Sequence, residues 1–312
     1  MTTLAEVARR AGVSKSTVSN VIHGQVAVAD STRIRVEKAI TEIGYRPNAI
    51  ARSLRARASH SIGMIVPDLG NPFHAQLAVA VEQAATASGY ATLVAHTGYE
   101  PDVEDEVGRT LFDRRVDGVV IAGLSAGSRM PIRLLDQGIP VILASFGEPE
   151  DQRLGAIDHD DRSGMETIVA HLYSLGHRRM SFVSQSYAEL SGERRRQEFE
   201  EALERRGLSA ATSSNATAFV AHNDVLAIEA IDDLERRGIR VPTDASVVGH
   251  DDIPIAGHSR IRLTTVRSDA RTMGQRAVML VIAAARSGNH VAHRELQTNP
   301  LIIRGSTGAA PS

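Results

Sequence analysis

The sequence contains no cysteine and no tryptophan, and aromatic residues make up only 4% of it. Without cysteine the chain can form neither a disulfide framework nor a thiolate metal site, and it has no cysteine nucleophile. Its core must be aliphatic, and a hydrophobic content of 42% over 312 residues is enough for two or three packed units. No apolar run approaches the roughly 20 residues that a membrane-spanning helix needs. We therefore expect a soluble, cytoplasmic protein without a membrane partner.

The usual catalytic and cofactor motifs are missing as well. The sequence has no phosphate-binding Gly-Lys-Ser/Thr loop, no dinucleotide fingerprint and no His-Glu-x-x-His pair, and its 12 histidines lack metal-ligand spacing. We predict no cofactor, no metal and no catalytic residue. One alternative stays open, because residues 123–127 spell the nucleophile-elbow pattern of serine hydrolases around Ser125. An elbow requires the helix to begin at the serine, whereas Gly127, Ser128 and Pro131 delay the next helix to about Pro131.

Charge is distributed unevenly along the chain. Residues 1–60 carry ten Lys and Arg against four Asp and Glu, a net charge of +6, and the remainder carries a net charge of −8. A basic N-terminal module on an acidic body is the distribution that binding of a phosphate backbone by one end would need.

Residues 3–22 show the pattern of two short helices joined by a tight turn. Thr3 and Glu6 make a capping box, Gly12 can end the first helix in a left-handed conformation, and Ser14 can cap the second. One face of the second helix is apolar, with Val18, Val21 and Ile22. Its polar front carries Lys15, Ser16 and Asn20. This is the helix-turn-helix pattern, in which the front of the second helix reads base edges in the major groove.

Two further segments complete this module. A third helix opens at Ser31 and Thr32, carries an apolar stripe and ends at Gly44. Residues 49–54 then predict a short helix flanked by arginines, which has no core of its own and depends on a partner for its order.

The strings TLAEVARRAGVSKSTVSNVI and TRIRVEKAITEIGYRPNAIARSLR resemble the DNA-binding headpiece of the LacI/GalR family of bacterial repressors over its full length. The resemblance implies a hinge helix that pairs across a dimer and enters the minor groove, where the leucine matched by Leu54 wedges into a base step. It implies DNA contacts from the recognition helix (Lys15, Ser16, Thr17, Asn20) and from the hinge (Ile50, Arg52, Leu54, Arg55).

From residue 62 short apolar runs alternate with amphipathic helical stretches, which predicts parallel α/β sheets. The runs lie at residues 62–66, 91–95, 119–122, 141–144, 180–183, 218–221 and 247–249. A break near residues 158–161 indicates two lobes. Strings such as IGMIVPDLGNPF and RGIRVPTDASVVGHDDIPIAGHSRIRLTTVR resemble the family's periplasmic-binding-protein-like core.

The predicted fold class is therefore an all-α helix-turn-helix headpiece followed by a two-lobed α/β core with parallel sheets. The predicted domains are a headpiece (1–46), a hinge helix with linker (47–61) and an effector-binding and dimerisation core (62–312). Within the core we expect an N-lobe of about 62–158 plus a C-terminal return, and a C-lobe of about 159–288.

Side chains that follow the strands are the candidates for an effector site, because parallel sheets bind ligands at the carboxyl ends of their strands. Arg195 also holds the place of the family's effector-gripping arginine in an S-x-x-x-R-x-x-x-F pattern. The candidates are Phe73, His74, Phe146, Arg195, Asn223 and Asp251. An arginine facing Asn and Asp side chains suits hydroxyl-rich or carboxylate ligands.

The resemblance implies a homodimeric repressor that binds a palindromic operator in double-stranded DNA, at the nucleoid, under control of a sugar or related metabolite. Helices at residues 73–88 and 225–237 are the expected dimer face.

The sequence departs from the family pattern in two places. Only SAATSSNATA (209–218) stands where family members carry a further strand and helix. If the lobe keeps its order, the missing strand is an edge strand, and its loss uncovers a sheet edge. Residues 195–198 also place bulk and charge where the family often has a glycine. Both departures leave open a DNA-binding regulator with a degenerate sensor lobe that ignores effectors.

Two substitutions can distinguish a residue that reads a base from a residue that contacts a phosphate. Asn20→Ala should change the preferred base at one operator position, because a side chain that contacts a base edge carries sequence information. Arg52→Ala should weaken binding to all sequences alike and reduce the salt slope by about one, because a phosphate contact releases counterions whatever the sequence. Binding measured against salt and against single-base operator variants checks both. A base-selective effect of Arg52→Ala would contradict the assignment.

Overall fold

The computed structural model describes residues 2–23, 26–45, 58–125, 127–145, 151–184, 190–288 and 292–311. The chain divides into two compact units, residues 1–59 and residues 60–312. None of the helices in the described ranges is long and apolar enough to cross a membrane.

The first unit holds three helices, α1 (Leu4–Ala11), α2 (Lys15–His23) and α3 (Asp30–Ile43). The capping box at the start of α1 is present, since the Thr3 hydroxyl accepts from the Glu6 N–H and the Glu6 carboxylate accepts from the Thr3 N–H. Gly12 ends α1 and Gly44 ends α3, both with a left-handed backbone (φ 64° and 61°) that glycine adopts at low cost.

Each of these helices contributes a fully buried valine to one small core. Val7 comes from α1, Val18 from α2 and Val36 from α3. Burying the apolar back of α2 in this way leaves its other side for solvent.

The second unit is built from eleven strands and seven further helices within the described ranges. The strands are β1 (Ser61–Val66), β2 (Ala91–His96), β3 (Gly118–Ile121), β4 (Val141–Ala144), β5 (Gly155–His159), β6 (Met180–Val183), β7 (Ala218–Ala221), β8 (Ser246–Asp251), β9 (Thr264–Arg267), β10 (Arg294–Gln297) and β11 (Leu301–Ile302). The helices are α4 (Pro72–Ala87), α5 (Pro101–Asp113), α6 (Met130–Asp136), α7 (Asp161–Ser174), α8 (Leu190–Glu204), α9 (Asp224–Arg236) and α10 (Ala270–Ser287), with a 3₁₀ turn at Pro254–Gly257.

The strands form two sheets, which confirms the predicted two-lobed α/β class. The first sheet has the order β10-β5-β4-β3-β1-β2 and is parallel throughout. The second has the order β11-β9-β8-β7-β6 and is parallel except for β11, which pairs antiparallel with β9. All seven apolar runs of the sequence lie in strands. The sequence did not indicate β5, β9, β10 and β11, because their residues are short, polar or mixed.

Helix α10 belongs to a different lobe from the one that the sequence predicts. Its residues fall inside the range expected for the C-lobe, but it packs on α4 and on β3 and β4 of the first sheet. The helices α4 and α10 approach closely at Gly274, where a Cβ atom would lie 2.7 Å from the Cβ of Ala80. The chain therefore returns to the first lobe at about residue 270, before β10 joins the same sheet.

Strand β6 forms an edge of the second sheet. This is the edge at which the sequence analysis expected the family's additional strand to be missing. The described residues between α8 and β7 form a loop with a turn and no strand. The Ala211 N–H from this loop donates to the Met180 carbonyl at 2.7 Å, so the loop covers the beginning of the exposed edge. The sheet is shortened but not split, because β6 still pairs with β7.

The core of the second lobe depends on Phe199 of α8, which is fully buried and stacks at 5.5 Å on Phe182. We expect Phe199→Ala to lower the free energy of unfolding by about 3–5 kcal/mol, because it removes a buried ring and leaves a cavity. Phe112→Ala is the matched control, since that ring is 42% exposed and should cost far less. Urea denaturation of both variants checks this, and equal losses would contradict the assigned core.

Candidate functional sites

The candidate DNA-reading surface is the polar front of α2. The Ser14 hydroxyl accepts from the Thr17 N–H at 3.1 Å and so caps the helix, and it also contacts the hydroxyls of Ser16 and Thr17 at 2.7 and 2.8 Å. Lys15 and Ser16 are exposed, and Thr17 and Asn20 are half-buried. The first turn of α2 therefore presents a cation and two hydroxyls held in place by the cap. The predicted hinge contacts Ile50, Arg52, Leu54 and Arg55 lie outside the described residues.

A second candidate site is an open cleft in the second unit, between the two sheets. Its lining comes from the segments that follow the carboxyl ends of strands in both sheets, where ligand sites of parallel sheets occur. From the first lobe come Asn71, Phe73, His74, Tyr99, Ala122, Gly123, Leu124 and Ser145, and from the second come Ser191, Arg195, His222, Asn223 and Asp251.

Five of the six predicted effector residues line this cleft together. They are Phe73, His74, Arg195, Asn223 and Asp251. Phe146, the sixth, lies outside the described residues. The prediction missed polar residues that also follow strands, of which Tyr99 and Ser145 lie just beyond β2 and β4. Their position after a strand was the available signal, but neither belongs to an apolar run or to a recognised motif.

Two of the cleft residues are oriented by contacts with the backbone. The Asn223 Oδ1 accepts from the Leu226 N–H at 2.9 Å and caps α9, so its amide N–H₂ is the group available to a ligand. The His74 Nδ1 lies 3.0 Å from the Asp68 carbonyl and donates to it, which fixes the ring on α4. Both side chains are thus positioned by helix starts.

Arg195 is buried at the floor of the cleft and already has protein partners. Its Nε donates to Asp161 Oδ1 at 3.1 Å, and its Nη1 donates to the His222 carbonyl at 2.9 Å. Its Nη2 lies 4.0 Å from Asp251 Oδ1. A ligand in the cleft therefore meets an arginine whose charge two carboxylates balance.

A second arginine, Arg194, pairs with the same carboxylate of Asp161 and extends the cluster formed by Arg195, Asp161 and Asp251. It binds Asp158 at 2.7 Å and Asp161 at 2.6 Å, so Asp161 lies between two guanidinium groups. Burial by itself raises the pKa of Asp161, but Arg195, His250 and Arg194 outweigh burial and hold this pKa well below its usual range. Burial has the larger effect on Asp158, whose pKa is raised in spite of Arg194. The pair also joins the lobes, since Asp158 lies on β5 and Arg194 on α8.

His159 packs beside this cluster as a neutral ring. It is 3% exposed, and its ring contacts those of Phe73 at 5.7 Å and His250 at 6.3 Å. Burial lowers the pKa of His159 to about 3, so the ring carries no charge near neutral pH.

Ser125, the residue behind the hydrolase alternative, has a structural role. Its N–H and its hydroxyl donate to the buried carboxylate of Glu104 at 2.7 and 3.0 Å. The next helix, α6, begins at Met130, five residues later. A nucleophile elbow needs its serine at the helix start, and Ser125 does not lie there.

Two family models match separate parts of the chain. Residues 3–48 match the model of bacterial regulatory proteins of the lacI family, and residues 169–307 match that of a periplasmic-binding-protein-like domain. The first match contains the candidate DNA-reading helix, and the second contains most of the second lobe.

Known proteins resemble the chain over nearly its whole length. It is 34% identical to the HTH-type transcriptional regulator MalR of Streptomyces coelicolor, over 99% of the chain and 98% of that protein. Its structure is similar to the lac repressor dimer bound to operator and an anti-inducer, with a TM-score of 0.88, 25% identity and 99% of both chains covered. It also resembles a complex of the transcriptional regulator CelR with cellobiose, with a TM-score of 0.72 and 25% identity over 98% of the chain and 100% of that one.

The ion pairs of Asp161 with Arg194 and Arg195 lead to a prediction about stability. Asp161→Asn should lower the free energy of unfolding by about 3–5 kcal/mol at neutral pH, because it leaves buried arginine charge without its partner. Because folding lowers the pKa of Asp161, the contribution is present above the ordinary carboxyl value of about 4 and is lost as the pH falls below it. The difference between wild type and variant should therefore narrow in acid.

Glu166→Gln is the matched control for this prediction. Glu166 also lies on α7 and also pairs with two arginines, Arg205 and Arg206, but at the surface. Its loss should cost about 1 kcal/mol or less. Urea unfolding between pH 3 and 7 measures the free energy of unfolding of both variants. Similar losses of this free energy would contradict a larger contribution from the buried ion pairs of Asp161.

Proposed function

Because the chain belongs to the LacI family of bacterial regulatory proteins and is a DNA-binding transcriptional regulator rather than an enzyme, we propose that it is a homodimeric repressor. A small ligand in the cleft would control its affinity for a palindromic operator. Its site of action is the nucleoid in the cytoplasm.

The exposed front of α2 supports the assignment of its DNA contacts. Lys15, Ser16, Thr17 and Asn20 occupy the first two turns of a helix whose apolar back is buried, as a major-groove reader requires. The net charge of +6 on residues 1–60 favours the phosphate backbone. The hinge residues Ile50, Arg52, Leu54 and Arg55 would add minor-groove contacts, and this part of the proposal rests on the sequence alone.

The proposed dimer uses helices α4 and α9. Val79 on α4 is 54% exposed, and Ile228 and Ile231 on α9 pack against the core but are only partly buried, so both helices keep some apolar surface at the solvent. A twofold dimer presents two headpieces and therefore favours an operator with inverted half-sites.

The proposed ligand is an uncharged, hydroxyl-rich compound, such as a sugar. The cleft combines the donors of Arg195 and Asn223 with the acceptor of Asp251 and the ring of Phe73, and its buried arginine is already balanced by carboxylates. A neutral ligand with many hydroxyls suits such a balanced site better than an anion does. Cellobiose, the ligand of the similar CelR complex, is the first compound to test.

The observation that carries this proposal is the convergence of Phe73, His74, Arg195, Asn223 and Asp251 on one cleft. These residues come from four separate stretches of both lobes, so a bound ligand contacts both lobes at once. Such a ligand stabilises one lobe arrangement over another, and it can change operator affinity only by that difference.

An effector-blind regulator is the second candidate. The shortened loop between α8 and β7 favours it, because the strand and helix that the family carries there are replaced by a turn. This loop follows α8, the helix that bears Arg195.

Selection of operators from random duplex DNA tests both candidates. We expect the full-length protein to select a palindrome, and we expect one compound from a panel of cellobiose, D-xylulose, other neutral sugars and purines to change its affinity. Asp251→Asn should weaken the response to that compound by about 10- to 100-fold while operator affinity without it stays unchanged, because a charge-assisted hydrogen bond is lost.

Asp244→Asn is the control, since its carboxylate pairs with the exposed Arg240 and lies outside the cleft lining. It should leave the response unchanged. A palindrome that ignores every compound would favour the effector-blind regulator. Selection of no sequence would contradict the DNA-binding assignments in α2.

A further inference from the structure

His250 on β8 is fully buried, and both of its ring nitrogens face carboxylates. Its Nδ1 is within hydrogen-bonding distance of Asp251 Oδ1 at 3.1 Å, whereas its Nε2 lies 3.3 Å from Asp161 Oδ1 as an ion-pair contact without hydrogen-bond geometry. A neutral imidazole carries one N–H and turns a lone pair towards its other neighbour. Only the imidazolium has a proton for each carboxylate, so this geometry favours the charged ring.

Charged and titratable groups face His250 from each element around it. Asp251 comes from its own strand, Asp161 from α7, Arg195 from α8, Asp224 from α9 and the neutral His159 from β5. Burial and Arg195 lower the pKa of His250, but Asp161 and Asp251 outweigh them, and its pKa is raised above the ordinary value of 6.5. The environment of His250 therefore favours the protonated ring more than water does.

The proton on His250 affects the two residues that would grip a ligand. Asp251 Oδ1 accepts from His250 and, at 3.3 Å, from the Ser268 hydroxyl, so Oδ2 is the oxygen that can accept from a ligand. Asp161 Oδ1, which faces the other ring nitrogen, is the same atom that holds Arg195 Nε. One ring thus contacts the carboxylate in the cleft and the carboxylate that anchors the arginine.

While Asp224 is neutral, the charges of the cluster balance only if His250 is protonated. Three carboxylates (Asp158, Asp161, Asp251) then face three cations (Arg194, Arg195, His250). Loss of the proton leaves one uncompensated negative charge in a buried site and turns a ring lone pair towards a carboxylate oxygen. Both changes repel Asp251 or Asp161 from its position.

We propose that His250, as an imidazolium, is a positioning residue of the cleft: it holds the carboxylates of Asp161 and Asp251 in their ligand-binding geometry, so that effector affinity falls as the pH rises and the proton leaves. The consequence for the effector rests on the proposed function, whereas the protonated, doubly paired ring is a property of the unliganded protein. Folding raises the pKa of His250, so the stability it contributes is complete below pH 6.5 and is lost as the pH rises.

Asp224 must be separated from His250 in any pH experiment. Burial, reinforced by Asp251, raises the pKa of Asp224 to about 7, so it titrates in the same range. The pKa of Asp224 also depends on the charge of His250, so the comparison of wild type with His250→Gln is repeated in an Asp224→Asn background, which isolates the contribution of His250.

The first test needs no ligand. Nitrogen NMR of the full-length protein labelled at histidine, with His250→Gln to assign the signal, should show two protonated ring nitrogens for His250 at pH 7 and a change to one at higher pH. A neutral His250 at pH 6.5 would overturn the proposal. Urea unfolding should show a difference between wild type and His250→Gln that shrinks between pH 6.5 and 9.

His177→Gln is the matched control. His177 is an equally buried histidine of the second lobe, but its nitrogens face the hydroxyls of Thr217 and Ser246 and a backbone carbonyl, and burial lowers its pKa. Its difference from wild type should therefore stay constant above pH 6.5. A shrinking difference in both variants would contradict a specific role for the two carboxylates around His250.

The second test uses cellobiose and, in its place, any other compound of the panel that binds. Its dissociation constant with wild type should rise about tenfold from pH 6.5 to 9, and with His250→Gln it should be weaker and flat. Tight binding that is independent of pH in the wild type would overturn the proposal. If no compound binds, the proposed effector function fails, while the NMR and unfolding results still decide whether His250 holds the carboxylates.

Discussion

The buried carboxylate of Asp161 is the contact on which the cleft depends. It lies at the start of α7, immediately after the chain passes from the first sheet to the second, and it holds Arg194, Arg195 and the ring of His250. Burying so many charges is unfavourable unless each has a partner with good geometry. Because Arg194 also binds Asp158 on β5, this arrangement joins the two lobes and allows the residues that line the cleft few other positions.

Such an arrangement is organised before a ligand arrives. Arg195 and Asp251 have fixed neighbours in the protein, so a ligand need not order them on binding, and the entropy cost of association is smaller. The same neighbours limit selectivity. A site whose charges are already matched discriminates by the number and direction of hydroxyl groups rather than by net charge, which is the kind of recognition that neutral polar ligands require.

Much of this could be predicted from the sequence, for physical reasons that differ between the two units. In the headpiece, the ends of the helices are determined by interactions between residues that are close in sequence. Thr3, Glu6 and Gly12 determine the ends of α1 in this way, so the sequence pattern alone locates α1 and the start of α2. Buried parallel strands such as β4 and β7 are apolar throughout, and they too are evident from the sequence. The strand β10, with the sequence RELQ, is half-exposed at an edge and pairs with a strand about 140 residues away, so no local pattern reveals it.

The candidate site was only partly predictable for a related reason. Arg195 could be assigned to the cleft from its place in the family pattern, and Asp251 from its position at the end of a strand of a parallel sheet. The ion-pair contact of His250 with Asp161 could not be predicted, because position 250 lies inside an apolar strand and Asp161 comes from α7, far away in sequence. A histidine in a buried strand reads as a satisfied core residue until the side chains around it are known. Long-range electrostatic partners are what a single sequence conceals.

The edge position of β6 has a consequence for the tendency of this protein to aggregate. An edge strand offers unpaired N–H and C=O groups to any other extended chain, and proteins usually protect such edges with a helix, a bulge or charged side chains. Here the strand is only four residues long, and Ala211 occupies the carbonyl of its first residue. The short length of β6 and this backbone hydrogen bond limit how many hydrogen bonds a strand from another molecule can form with the edge. Substitutions that lengthen β6 or detach the loop at Ala211 would therefore expose a longer edge and promote aggregation.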